Sequence, residues 1–115
     1  MIFTSYYSNS KILSSRLKPI RISWGFPRFK LSYKIIGKIP ELTPEKDMRY
    51  LNEADYIYHY RAILEEETVE AIKKRFQELG DNLVLLCFCN PGKFCHRSVF
   101  AKWWDEKTGE EIKEL

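Results

Sequence analysis

Apolar and polar positions recur along the chain with periods that switch between strand-like and helical. Ile2 to Tyr6 is short, β-branched and aromatic, which predicts a strand. Tyr7-Ser8-Asn9-Ser10 follows as a turn, with N-cap chemistry for a short helix through Leu17 that Pro19 is expected to stop. Ile20 to Trp24 alternates apolar with polar and predicts a second strand, closed by the loop Gly25-Phe26-Pro27-Arg28. From Lys30 to Leu51, Gly37, Pro40 and Pro44 break any long element. That stretch predicts an extended loop with at most a helical turn after Thr43, and a loop so long in a small chain is often functional.

Helical periodicity then takes over. Asn52 can cap a helix from Glu53 to about Leu64, with Tyr56, Tyr60 and Ile63 on one face. A second helix is predicted from about Glu66 or Glu67 to Leu79, with the stripe Val69, Ile72, Phe76 and Leu79, and with Gly80 as its stop. Leu83 to Cys87 is apolar on both faces, the mark of a central strand covered by helices on either side. A last helix runs from about His96 to Glu106, where Val99 with Trp103 and Phe100 with Trp104 are i,i+4 pairs. Gly109 ends it, and Glu110 to Leu115 reads as a short edge strand. Strands alternating with helices predict an α/β fold, a small and mainly parallel sheet flanked by helices in a three-layer sandwich. Ligands of such sheets bind beyond the carboxyl ends of the strands. Three loops are expected there: Tyr7-Ser8-Asn9, Trp24 to Arg28, and Cys87 to Arg97.

Composition narrows the setting. A length of 115 residues corresponds to one domain, 1–115, large enough to bury a core without disulfides or metal. The longest apolar run, Leu83 to Cys89, is far too short for a membrane span, and the N-terminus lacks a signal-peptide pattern. A cytoplasmic location with no membrane contact is expected. The formal charge of +3 is compatible with an anionic small molecule or nucleic acid as partner, without demanding one. Nothing in the pattern specifies an oligomeric state.

All three cysteines fall between positions 87 and 95, which argues against a disulfide framework. The segment Cys87 to Arg97 joins an apolar strand to a helix start, where backbone N–H groups and the helix dipole favour an anion. Asn90-Pro91-Gly92 supplies a turn within it. Cys95 stands where thiols become more acidic and is a candidate nucleophile. His96 is a candidate proton-transfer group, although local packing accounts for it equally well. Arg97 offers a planar fork for phosphate or carboxylate, and Arg28 can close on the same anion, unless Arg97 pairs with a carboxylate at the core edge and the turn is purely structural. Cys87 reads as core more readily than as a reactive thiol, yet borders the site. His59 is expected to be half-buried on its helix. Cys87, Cys89, Cys95 and His96 are soft metal ligands, but their spacing has no Cys-x2-Cys pair, and Cys87 and Cys89 on a strand face opposite sides. No metal ligand set and no cofactor is therefore predicted. The Cys-to-Arg spacing of a tyrosine-phosphatase-like loop is absent as well. Tyr6, Tyr7, Trp24, Phe26 and Phe29 interleave with Arg21, Arg28 and Lys30, a mixture that suits base stacking but that core packing also explains.

Leu85-Leu86-Cys87 followed by Cys95-His96-Arg97-Ser98 resembles the hallmark of the proteins grouped as domain of unknown function 488. Thr4 to Asn9 is similar to that family's first strand, which ends in Ser-Asn, and Ile20 to Arg28 to its second, which ends in an aromatic, Pro and Arg. The family usually has an acidic residue where Cys89 stands here. Its second strand often ends like Asp-Val-Arg, where this chain has Ile22-Ser23-Trp24. The resemblance implies an α/β fold with a polar site at the strand ends and implies no particular reaction.

Together these readings lead to a chain that binds a phosphate-bearing ligand, a nucleotide or nucleic acid. Cys95, His96 and Arg97 are the catalytic candidates, and Ser8, Asn9, Trp24, Arg28, Cys87 and Arg97 are expected to line the ligand. The alternatives are a non-enzymatic nucleic-acid or protein-binding module, and a structural metal-binding domain.

Overall fold

The computed structural model describes residues 1–88 and 94–115, so Cys89 and the Asn90-Pro91-Gly92 turn lie outside the described residues. The most uniformly apolar segment forms the centre. β4 (Leu83–Cys87) is buried along its whole length. It pairs in parallel with β1 (Ile2–Tyr6) on one side and with β2 (Lys18–Arg21) on the other. Two-residue strands complete the sheet: β3 (Gly37–Lys38) beside β2, and β5 (Lys113–Glu114) beside β1. The order is β3-β2-β4-β1-β5, and every pairing is parallel.

Successive β4 side chains point to opposite faces and so build two cores. Leu83 and Leu85 face α2 (Glu53–Glu67), α3 (Val69–Leu79) and α4 (His96–Thr108). That core holds Tyr60, Leu64, Ile72, Phe76, Phe100, Trp103 and Trp104. The i,i+4 pairs of α4 are all buried, because the helix lies flat on the sheet. Val84 and Leu86 face a smaller core with Tyr7, with Ile12 of α1 (Lys11–Ser15), and with half-buried Leu31, Tyr33 and Ile35. The three layers are thus unequal: three helices on one face, one short helix and a loop on the other. Among the described residues, no helix is long and apolar enough to cross a membrane.

Several boundaries differ from those the residue pattern predicts. The first helix stops at Ser15, because Arg16 adopts a left-handed conformation with φ of 60°. Pro19 therefore does not end the helix; it lies inside β2. Its carbonyl accepts the Ile36 N–H, so its ring nitrogen faces the same flank, ahead of the point where β3 begins at Gly37. A missing N–H is harmless there. β2 accordingly starts earlier than the alternation at Ile20 implies and ends at Arg21. The loop from Lys30 contains β3 and two 3-10 turns, Pro40–Leu42 and Lys46–Tyr50. α2 continues to Glu67, and Thr68, with φ of 74°, turns the chain into α3 while its hydroxyl accepts the Ala71 N–H. Asn52 caps α2 as expected, accepting the Asp55 N–H at 2.8 Å. His59 is exposed rather than half-buried.

This topology fixes where a ligand site belongs. The chain leaves β1 through α1 on one face and leaves adjacent β4 through α4 on the other. The connections diverge, and a crevice opens between the carboxyl ends of β1 and β4, where Tyr6 pairs with Cys87.

Phe100 has no exposed surface and packs between Phe76 and Trp104. Phe100→Ala is expected to lower the unfolding free energy by about 3–5 kcal/mol, measured by urea denaturation with the slope unchanged.

Candidate functional site

α4 begins at His96 because Cys95 is extended, with φ of −155° and ψ of 152°. Asn, Asp, Ser or Thr would normally stand at such an N-cap and accept a backbone N–H. Sulfur is a weak acceptor, and the Cys95 side chain makes no capping bond. Instead Cys95 Sγ lies 3.6 Å from His96 Nδ1. His96 Nε2 is 2.8 Å from the carbonyl oxygen of Ile22, just past β2. A carbonyl only accepts, so Nε2 carries the hydrogen and Nδ1 is the nitrogen that faces the thiol proton. The edge-on Tyr60 ring, 5.5 Å away, closes the other side of the imidazole. Strand end, helix start and buried aromatic thus set one tautomer and aim it at one sulfur.

Arg97 points the other way. Only 3% exposed, it crosses into the crevice between β4 and β1. Its Nε and Nη2 donate to Glu114 of β5 at 3.0 and 2.8 Å, and Nη1 donates to Cys87 Sγ at 2.8 Å. Thr4 Oγ1 of β1 donates to the same carboxylate at 2.9 Å. Burial works against the guanidinium charge, but Glu114 and the Cys87 sulfur outweigh it and hold the proton more tightly than usual. Cys87 Sγ, Cys95 Sγ and a ring nitrogen of His96 all lie within 4.8 Å of one another.

A second polar knot seals the opposite face. Tyr7 and Ser23 hydroxyls are 2.6 Å apart, Ser23 Oγ donates to the Gly25 carbonyl, and Tyr33 donates to the Tyr7 carbonyl. Burial pushes the Tyr7 phenol up to about 12, with the Ser23 bond and Arg21 acting against it.

Cys95 and His96 border a cleft of about 350 Å³, lined also by Arg49, Leu51, Glu53, Tyr56 and Phe94. Tyr56 and Phe94 form an edge-to-face pair 5.3 Å apart, a wall fit for a flat ring. Exposed Arg49 supplies a cation at the rim.

Among the described residues the three expected loops approach one another at their edges, Gly25 beside Phe88 and the residues just before Trp24 against Tyr7 and His96. Tyr7 touches Ser23, the Tyr7 ring lies 5.0 Å from Phe88, and His96 binds Ile22. Asn9 is buried and structural: its side chain accepts from Lys11 N and donates to Ser5 Oγ and the Leu115 carbonyl. Ser8 and Arg28 are exposed, and neither lines the cleft beside Cys95. Trp24 lies outside that cleft too, and borders another of about 490 Å³ with Arg21, Lys38 and Lys46. Among the described residues, Cys95, His96 and Cys87 come together, and Arg97 holds Cys87 from behind. Sequence reasoning missed Glu114, Arg49, Tyr60 and the Ile22 carbonyl. Of these only Glu114 left a trace, since a buried arginine requires a carboxylate from somewhere.

The chain matches, over residues 7–108, the family model described as the active DUF488-N3 subclade. It belongs to the DUF488 family. No curated protein and no solved structure matches it. The DUF488 match spans the Cys-His-Arg motif, Ile22 and the cleft residues, and stops short of Glu114.

Glu114→Ala strips the carboxylate from a buried guanidinium and is expected to lower stability by about 1.5–3 kcal/mol, with less lost in Glu114→Gln, both read by urea denaturation. Unfolded tyrosine ionises near pH 10, whereas folded Tyr7 does so at about 12. Its contribution is therefore complete below about pH 10 and is lost as pH rises towards 12. Tyr7→Phe should reduce the fall in melting temperature over that range, with Tyr33, shifted likewise, retaining its own share.

Proposed function

We propose that the chain, acting as one domain, binds a phosphate-bearing ligand, a nucleotide or nucleic acid, in the cleft beside Cys95, and that Cys95 with His96 is its reactive centre. The observation that carries this reading is the 3.6 Å approach of Cys95 Sγ to His96 Nδ1, with Nε2 tied to the Ile22 carbonyl. Such a pair moves a proton from sulfur to nitrogen and leaves a nucleophilic thiolate. The thiolate attacks an electrophilic carbon or phosphorus, the bond to the leaving oxygen breaks, and His96 returns the proton to that oxygen. Arg49 supplies charge for the phosphate and the Tyr56–Phe94 wall supplies stacking surface. Arg97 holds Cys87 and β5 behind the pair, rather than clamping the ligand. The subclade's description as active is in keeping with this reading.

The test is alkylation of Cys95 by iodoacetamide at neutral pH with a chelator present, followed by peptide mass spectrometry. Cys95 is expected to react at least about 10-fold faster in the parent than in His96→Gln. A nucleotide panel should protect it in the parent and less well in Arg49→Ala. Equal rates in both proteins, together with no protection by any nucleotide, would remove the reading.

A second reading has its own observation. Trp24 and Phe26 are each more than half exposed, with Lys46 4.8 Å above the Trp24 ring and Arg21 5.5 Å above Phe26. Stacked cations on open rings suit a single-stranded nucleic acid bound without chemistry. Oligonucleotide binding that weakens steeply with salt and is lost in Trp24→Ala, with Cys95 unprotected, would favour this module over the reactive centre.

A further inference from the structure

The geometry points to a soft-metal site built from Cys87, Cys95 and His96, taking Zn²⁺. This goes beyond the thiol reading at the same Cys95: the metal-bound chain holds the sulfur as a ligand, and the thiol chemistry belongs to the metal-free chain.

Four features argue for it. The first is the donor set. Two thiols and an imidazole are soft and borderline donors, the kind that select Zn²⁺ over Mg²⁺ or Ca²⁺. Two of them come from consecutive residues at a helix start and the third from the end of the neighbouring strand, so rigid elements hold all three.

The second is distance. With Zn–S of about 2.3 Å and Zn–N of about 2.0–2.1 Å, a tetrahedral site needs S···N of about 3.6 Å and S···S of about 3.8 Å. Cys95 Sγ and His96 Nδ1 already stand 3.6 Å apart. All three donors lie within 4.8 Å of one another, so the cluster closes with movements of about 1 Å or less.

The third is the outer shell. A metal-bound histidine usually donates its second ring N–H to a backbone carbonyl or carboxylate. His96 Nε2 is so engaged with Ile22, which leaves Nδ1 turned inward. Arg97 donates to Cys87 Sγ and so supports that sulfur from outside the cluster, and Glu114 balances its charge. The cation therefore meets two thiolates and a neutralised ion pair rather than a bare guanidinium.

The fourth is access. Cys95 and His96, although largely buried, line the cleft, which gives the cluster an approach from that side among the described residues.

The experiment uses the whole reduced chain, stripped of metal, with Co²⁺ as the spectroscopic probe and Zn²⁺ as competitor. One equivalent of Co²⁺ should give a thiolate-to-cobalt charge-transfer band with the intense visible bands of tetrahedral coordination, both abolished by one equivalent of Zn²⁺. Cys95→Ser suits an N-cap, and His96→Gln keeps a donor for Ile22, so each should retain the parent's circular dichroism. Each should weaken Zn²⁺ binding at least about 10-fold in competition with a chromophoric chelator. His59→Gln should bind like the parent. Absence of the tetrahedral spectrum, unaltered affinity in both site variants, or loss of binding in His59→Gln instead would overturn the site. Nucleotide protection of Cys95, measured with chelator present, is read separately and stands or falls independently.

Discussion

Arg97 enters the interior with a charge that burial alone would make prohibitive, and its neighbours are arranged around that fact. The fork meets Glu114 on one side and the Cys87 sulfur on the other. Thr4 supports the carboxylate from β1. One guanidinium therefore joins α4 to three consecutive strands of the sheet, β4, β1 and β5. A buried charge tolerates few alternative placements, because any slip leaves it without compensation. With Arg97 fixed on one side of the α4 start, the two preceding residues are fixed on the other. Cys95 and His96 owe their orientation to this anchor as much as to their own bonds.

The crevice at the strand ends gives that arrangement its chemical meaning. Adjacent parallel strands whose connections leave on opposite faces create an opening by topology alone. Among the described residues, the thiol–imidazole pair borders a cleft between an aromatic wall and an exposed arginine. The DUF488 match covers the thiol–imidazole pair, Arg97 and the cleft residues, while Thr4 and Glu114 lie outside its residues 7–108.

Much of the fold was legible in the residues. A uniformly apolar five-residue segment can hardly be anything but a central strand, and the spacing of Val99, Phe100, Trp103 and Trp104 leaves little doubt about a packed helix. Pro19 misled because a proline's effect depends on which flank its nitrogen faces, and only tertiary structure decides that. β3 escaped because two residues carry no period. At the site, Cys95, His96 and Arg97 were visible as a cluster, but their division of labour was not. Whether an arginine meets a ligand or a carboxylate depends on what the last strand brings near it, and Glu114 is 17 positions away in sequence. The expected roles of Ser8 and Arg28 came from proximity of loops, which does not specify where side chains point.

The brevity of β3 and β5 has a consequence beyond the site. A parallel sheet with so apolar a centre would be an efficient template for a neighbouring chain if its margins were long and straight. Here each margin offers only two residues of ladder, and a proline occupies the second strand on one flank. An incoming strand would find few backbone groups in register, and Lys38 and Lys113 would meet it with charge. The fold thus keeps its most aggregation-prone segment, Leu83 to Cys87, two strands away from either border.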